Sequence, residues 1–237
     1  MINKHNVALV IPAYNEEGKI GAVITKVRER APYLDEIIIV DDGSSDNTEK
    51  EAIEAGAVVL KHRRNRGAGA AIRTGSLFAE KSNQDIVAVM GGDNQDDPGY
   101  IRDLILPIVE NGYDFVQGSR YKFKKKLKIP LFRLLTTVAY SFLYSMAARK
   151  KVSDATNGFR AYRTAILRKI DLEKNWLNRY ELEPYLMLEA IKRGYKFKEV
   201  GVPKYWPKGK SYTKMVPLQS WWSISRPMLY SLLGIKR

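Results

Sequence analysis

A chain of 237 residues, 45 % of them hydrophobic, is long enough for one large α/β domain with a sizeable core, and the absence of a linker or low-complexity stretch favours one domain over two small ones. Cysteine is absent, which excludes disulfides, zinc–thiolate sites, iron–sulfur clusters and thiol nucleophiles. The formal charge of +14 is uneven, with 13 Lys+Arg against 19 Asp+Glu in residues 1–118 and 27 against 7 in residues 119–237; the first half can hold a cation, and the second attracts polyanions or an anionic membrane surface.

The opening segment "MINKHNVALVIPAYNEE" has an apolar run too short for a signal peptide or a membrane span, and it reads as the first strand. Residues 6–11, 36–40, 57–60, 85–90 and 113–117 are short runs rich in Val, Ile, Leu and Phe, separated by stretches of helical spacing. That alternation predicts a mostly parallel central sheet flanked by helices. In 17–30, Ile20, Val23, Ile24 and Val27 fall on one helical face and the charges on the other. "DDGSSDNTEKEAIEAG" supplies a turn, an Asp46 or Asn47 cap and a terminating Gly56. After residue 118 come a basic loop "YKFKKKLKIP", an apolar helix at about 129–149, a loop and strand in "SDATNGFRAYR", a helix near 180–193, a strand near 196–201, a basic loop at 203–214 and an amphipathic helix at about 217–233.

Three strand ends carry polar clusters: Pro12-Ala13-Tyr14-Asn15-Glu16, Asp41-Asp42-Gly43-Ser44 and Gly91-Gly92-Asp93-Asn94-Gln95. Alone, each is turn chemistry. Together, on the rim where open parallel sheets bind ligands, they read as a nucleoside-diphosphate site, since a hard divalent cation wants carboxylate and amide oxygens plus diphosphate oxygens. "RGAGAAIRTG", residues 66–75, departs from the dinucleotide glycine pattern at Ile72 and follows the third strand, so Gly67 and Gly69 are read as letting a helix start pack closely against the donor site. His5 and His62, the two histidines, stand among basic or polar neighbours and are read as surface residues.

In order, "VIPAYNEE", "IIIVDDGSSDNT", "GDNQDDP", "GSRY", "DATNGFRAYR" and the basic stretch before Lys214 resemble the family 2 glycosyltransferases over roughly residues 5–215. Within that family they are most similar to the polyprenol-phosphate glycosyltransferases such as dolichol-phosphate mannose synthase. The resemblance implies a GT-A-type fold in a single domain, with a nucleotide-sugar half at 1–118 and an acceptor half at 119–237. The helical spacing of Leu131, Leu134, Leu135, Val138, Phe142 and Met146 behind the basic loop reads as a membrane-facing, interfacial helix at about 129–149, helped by the one at about 217–233, with a membrane span and a helix packed wholly on its own domain as the alternatives. The resemblance also implies that Pro12, Tyr14, Glu16, Val40, Asp42, Gly92, Asp93, Lys208 and Lys214 bind the donor, and that Asp93 and Gln95 ligate Mg²⁺ or Mn²⁺. Asp93 and Arg120 would be catalytic, and Arg120 and Arg133 would hold the acceptor phosphate. Arg160 would brace the loop from Asp154. Where the family commonly has Asp-x-Asp-x-Gln, residue 91 is glycine, leaving Asp93, Gln95 and the diphosphate to bind the metal, as Mg²⁺ commonly binds.

The implied activity is transfer of a hexose, from GDP-mannose or UDP-glucose type donors, to a polyprenyl or dolichyl phosphate at the cytoplasmic face of a membrane, metal-dependent and inverting, by a peripheral enzyme. A phosphate acceptor is ionised at pH 7 and needs no general base, whereas a glycan hydroxyl would need a carboxylate such as Asp96, Asp97 or Asp154. Transfer to a glycan hydroxyl is the alternative within enzymes, and a basic module binding anionic lipid or nucleic acid is the alternative outside them. Acidic strand ends sit badly against phosphate backbones, so nucleic acid is not an expected partner. A membrane partner protein or a homo-oligomer stays open.

Overall fold

The computed structural model describes residues 2, 4–124, 131–205 and 219–235, with side chains from 134 onward in the helix that starts at residue 131. Alternation of apolar strands and helices builds β1 (Val7–Ala13), α1 (Ile20–Arg30), β2 (Glu36–Asp41), α2 (Thr48–Glu54), β3 (Val58–Lys61), α3 (Ala68–Lys81), β4 (Ile86–Val89), α4 (Ile101–Asn111) and β5 (Phe115–Ser119). The second half of the chain adds α5 (Leu131–Ala148), β6 (Arg160–Arg163), α6 (Leu182–Lys192), β7 (Phe197–Gly201) and α7 (Gln219–Leu232). The helix expected from residue 17 begins at Ile20: Asn15 and Gly18 both have positive φ, and the Glu16 carbonyl accepts from Lys19 N and Ile20 N at 3.0 Å to open the first turn. At α2, Asp46 accepts from Thr48 N at 3.0 Å, and Gly56 at φ +81 follows the helix end.

One seven-stranded sheet runs in the order β3-β2-β1-β4-β6-β5-β7. All neighbours are parallel except that β6 runs against both β4 and β5. Consecutive strand residues alternate between two cores, which is why the strands read as unbroken apolar runs. Val7, Leu9, Ile11 and Ile39 pack beneath α1 and α4, while Ala8, Val10, Ile38 and Val40 pack beneath α3 in a core that also takes in α5, α6 and α7. The chain leaves β1 toward β2 on one side and returns beside it as β4 on the other, so the sheet's switch point lies between β1 and β4, where open α/β sheets place their ligands. The reversed β6 matters for the site: Arg160 pairs with Val89 and with Gln117, which brings the preceding loop, Ser153–Gly158, to the carboxyl ends of β4 and β5.

Candidate active site at the carboxyl edge of the sheet

Beyond β1, the segment that follows it, through Gly18, is fastened to the turn after β2 and to α2. Asn15 N donates to Ser44 Oγ (2.9 Å), Glu16 N to Thr48 Oγ1 (2.8 Å) and Gly18 N to both Glu51 oxygens (2.8 and 2.9 Å). Pro12 and Tyr14 stay half-buried at the rim, and Glu16 is buried beside Lys19 Nζ at 3.1 Å. Val40 is different. It is wholly buried, and its side chain packs where a Cβ on Gly75 of α3 would come within 3.0 Å, so it forms core rather than the wall of a site.

Asp42 is buried and accepts three bonds from the loop after β3: Arg66 N (2.9 Å), Gly67 N (2.7 Å) and His62 Nδ1 (2.6 Å). His62 is therefore no surface residue. It is 7 % exposed, and its Nε2 lies 3.0 Å from Thr74 Oγ1 of α3. The parallel register pairs Asp41 with Lys61, so the residues that follow them, Asp42 and His62, emerge side by side. His5 is half-buried, its Nδ1 3.6 Å from Asp85. Gly67 and Gly69 do permit a close approach, but to the backbone of Asn178 and Arg179 ahead of α6, where any Cβ would collide with carbonyl oxygens.

The loop after β4 carries the metal-ligating candidates. Asp93 Oδ1 accepts from Gln95 N at 3.1 Å, Gln95 is buried, and Asn94 takes a left-handed conformation at φ +58. Burial raises the Asp93 carboxyl above its ordinary pKa; Lys204 opposes this, and the charges of Asp96 and Glu16 add to it. Those influences place Glu16, Asp93, Asp96 and Lys204 in one electrostatic neighbourhood. Gly91 sits against it: a Cβ there would stand 3.1 Å from Asp93 Oδ1 and 3.6 Å from Asp96 Oδ2, so an acid at 91 would crowd two carboxylates already present. Gly92 is buried against the Pro12 carbonyl. Oxygen donors, a raised carboxyl and surplus negative charge fit a hard divalent cation. Among the described residues no three His, Cys, Asp or Glu side chains converge as a complete protein-only site.

The third wall is built from charge pairs. Arg120 is 8 % exposed and clamps Asp154 through Nε (2.7 Å) and Nη2 (2.6 Å), with Nη2 also 2.7 Å from Thr156 Oγ1. Burial lowers the Arg120 pKa, and Asp154's hydrogen bonds and charge more than reverse this, with Asp96 contributing at longer range. Arg120 thus stands at the site, but its charge is turned on Asp154 rather than displayed to a ligand. Arg160 is buried and bonds the carbonyls of Asn157, Gly158 and Glu183, with its Nη2 3.1 Å from Glu183 Oε1; it braces the loop as expected. Lys204 Nζ lies 2.9 and 3.0 Å from the two oxygens of Asp96, and Tyr205 N donates to the Gln95 carbonyl at 2.9 Å. Sequence spacing gave no sign of this contact, because the pair is 108 residues apart. Lys208 and Lys214 lie outside the described residues, as does the side chain of Arg133.

Comparison with known proteins agrees with this geometry. The model of "Glycosyl transferase family 2" matches residues 8–171. A UDP-N-acetylglucosamine–dolichyl-phosphate N-acetylglucosaminyltransferase of Methanococcus voltae is 32 % identical over 212 residues, covering 82 % of this chain and 83 % of its own. A dolichyl-phosphate hexose transferase of Haloferax volcanii is 29 % identical over 84 % of this chain and 82 % of its own. Among solved structures, glucosyl-3-phosphoglycerate synthase of Mycobacterium tuberculosis, in complex with Mn²⁺, UDP and glucosyl-3-phosphoglycerate, superposes with a TM-score of 0.71 at 22 % identity, covering 98 % of this chain and 80 % of that one. The same enzyme with Mg²⁺ and UDP gives 0.72. The fold is thus of the GT-A type, and with a family match over residues 8–171 and a relative 32 % identical over 82 % of the chain, this protein belongs to glycosyl transferase family 2 and is a glycosyltransferase.

Proposed function

We propose that the enzyme transfers a sugar from a nucleotide-diphosphate donor to a polyprenyl or dolichyl phosphate at an anionic membrane surface. One observation carries the choice of acceptor. Each of the three carboxylates that could serve as general base for a hydroxyl is committed elsewhere: Asp96 to Lys204, Asp154 to Arg120, and Asp97 to Gly99 N at 3.0 Å in the turn before α4. A phosphate acceptor is already ionised and needs none.

The chain's own residues set the stage for in-line displacement at the sugar carbon. Pro12, Tyr14 and Glu16 line the donor crevice beside β1, and Asp42 holds the 63–67 loop against it. Asp93 and Gln95 would hold Mg²⁺ or Mn²⁺, which when bound supplies charge stabilisation to the departing diphosphate. The buried Arg120–Asp154 pair fixes the loop on the acceptor side and keeps a preorganised dipole there.

Support for a lipid acceptor comes from the acceptor half. On α5, Leu135, Val138, Phe142, Leu143 and Met146 are exposed, Phe142 at 66 %; α7 adds Trp221, Trp222 and Leu232, with Leu233 just past its end. The two helices are joined by Tyr140 OH donating to the Ile224 carbonyl at 2.8 Å. Lys124, Arg149, Lys150 and Lys151 are exposed at the margins. An apolar face with cationic flanks is the composition of a helix pair lying in a membrane interface. Among the described residues no helix is long and apolar enough to cross a membrane.

The test is a panel of UDP- and GDP-sugars offered with undecaprenyl and dolichyl phosphate, with products identified by mass spectrometry. A glycosyl phosphoryl polyprenol is expected. A product formed on glycan hydroxyls and none on lipid phosphate would overturn the reading.

A further inference from the structure

In the reading above, the Asp96–Lys204 pair serves only to withdraw Asp96 from use as a general base. Lys204 follows β7, at the far end of the sheet order, yet its ammonium bonds both Asp96 oxygens, and the adjacent Tyr205 N is tied to the Gln95 carbonyl. Both side chains are enclosed, Lys204 at 14 % exposure and Asp96 at 1 %. Lys204 enters the one loop that lacks the family's first acid and still holds Asp93 and Asp96 a few ångströms from the vacant Cβ position of Gly91.

We propose that Lys204 is the resident cation of the donor site: its ammonium offsets the Asp93–Asp96 charge before substrate arrives, so the divalent cation binds weakly alone and enters together with the nucleotide diphosphate. This rests on the reading of Asp93 and Gln95 as metal ligands. The physical argument is one of charge. A fixed ammonium beside two carboxylates repels a free divalent cation, whereas the same ammonium attracts a diphosphate, whose added negative charge restores the site's demand for the metal. Removing the ammonium should therefore move the two affinities in opposite directions. A lysine that merely fastens the loop would lower both or neither.

The test is calorimetric titration of three proteins, wild type, Lys204→Gln and Lys204→Arg, with Mn²⁺ alone, with UDP and GDP alone, and with Mn²⁺ in the presence of each nucleotide. Lys204→Gln is expected to bind Mn²⁺ alone at least fivefold more tightly than wild type and metal-free nucleotide at least threefold more weakly, and Lys204→Arg to behave as wild type. Unchanged or weaker Mn²⁺ binding by a folded Lys204→Gln, while Asp93→Asn abolishes Mn²⁺ binding with nucleotide, overturns the role of Lys204 and leaves the metal reading standing. If Lys204→Gln does not fold, Lys204→Met takes its place, and if that too unfolds the pair is structural and the proposal fails. Absence of Mn²⁺ binding by wild type even with both nucleotides overturns the metal reading and this inference with it.

Discussion

Asp93 stands where burial, Asp96 and Glu16 all disfavour its ionised form, and only Lys204 and the Gln95 amide favour it. A carboxyl whose folded pKa exceeds its unfolded value destabilises the fold at neutral pH, and the penalty disappears once pH falls below the ordinary value of 3.8. Asp93→Asn should therefore melt at or above the wild-type temperature at pH 7 without metal, with the gap closing in acid, while transfer falls by about 10²-fold or more; a lower melting temperature at pH 7 would show that the carboxylate is structural. Gly91→Asp should do the reverse. Its new carboxylate would crowd Asp93 and Asp96, lowering the melting temperature in chelator and making stability depend on Mn²⁺, and a melt indifferent to both would show that residue 91 points away. At His62 the argument concerns Asp42. His62→Ala removes one of three donors to a buried carboxylate, at about 1–3 kcal/mol, and should weaken nucleotide binding measured by calorimetry although the imidazole touches no expected ligand.

The elements differ in how much of them the sequence disclosed. The parallel strands β1 to β4 and the stripe Ile20, Val23, Ile24 and Val27 were legible because period and composition are local properties. The reversal of β6 was not, since nothing in "GFRAYR" encodes which strand it joins, and that reversal carries Asp154 to the rim. His62 was misread for the same reason: its partner, Asp42, lies one strand away and meets it only through the β2–β3 register. Lys204 was hidden behind a separation of 108 residues, and Val40, expected among the donor-binding residues, is turned by strand alternation into the core beneath α3. The Arg120–Asp154 pair is an element-scale brace between β5 and the loop before β6. Breaking it with Asp154→Ala leaves a buried guanidinium uncompensated and should cost about 3–5 kcal/mol, read as a fall in unfolding free energy in urea. A loss under 1 kcal/mol would mean that Arg120 finds other partners and is available to a ligand after all.

At the scale of the molecule, the −6 and +20 halves would, in the proposed function, divide the work between an acidic crevice for a cation with the donor and a basic, apolar face for the acceptor. Exposed cations are worth roughly 1 kcal/mol each near an anionic leaflet, and salt screens them over about 8–10 Å. Binding to phosphatidylglycerol vesicles should thus fall steeply with added salt and with Phe142→Asp on α5, and sedimentation indifferent to both would remove the membrane from the account. The most direct measurement follows the sugar itself. Radiolabelled nucleotide sugar is incubated with Mn²⁺ and vesicles containing polyprenyl phosphate, and the label is partitioned between organic and aqueous phases. The account predicts label entering the organic phase with wild type and remaining aqueous with Asp93→Asn; label that never leaves the aqueous phase with any donor, or that moves equally well with the variant, would contradict it.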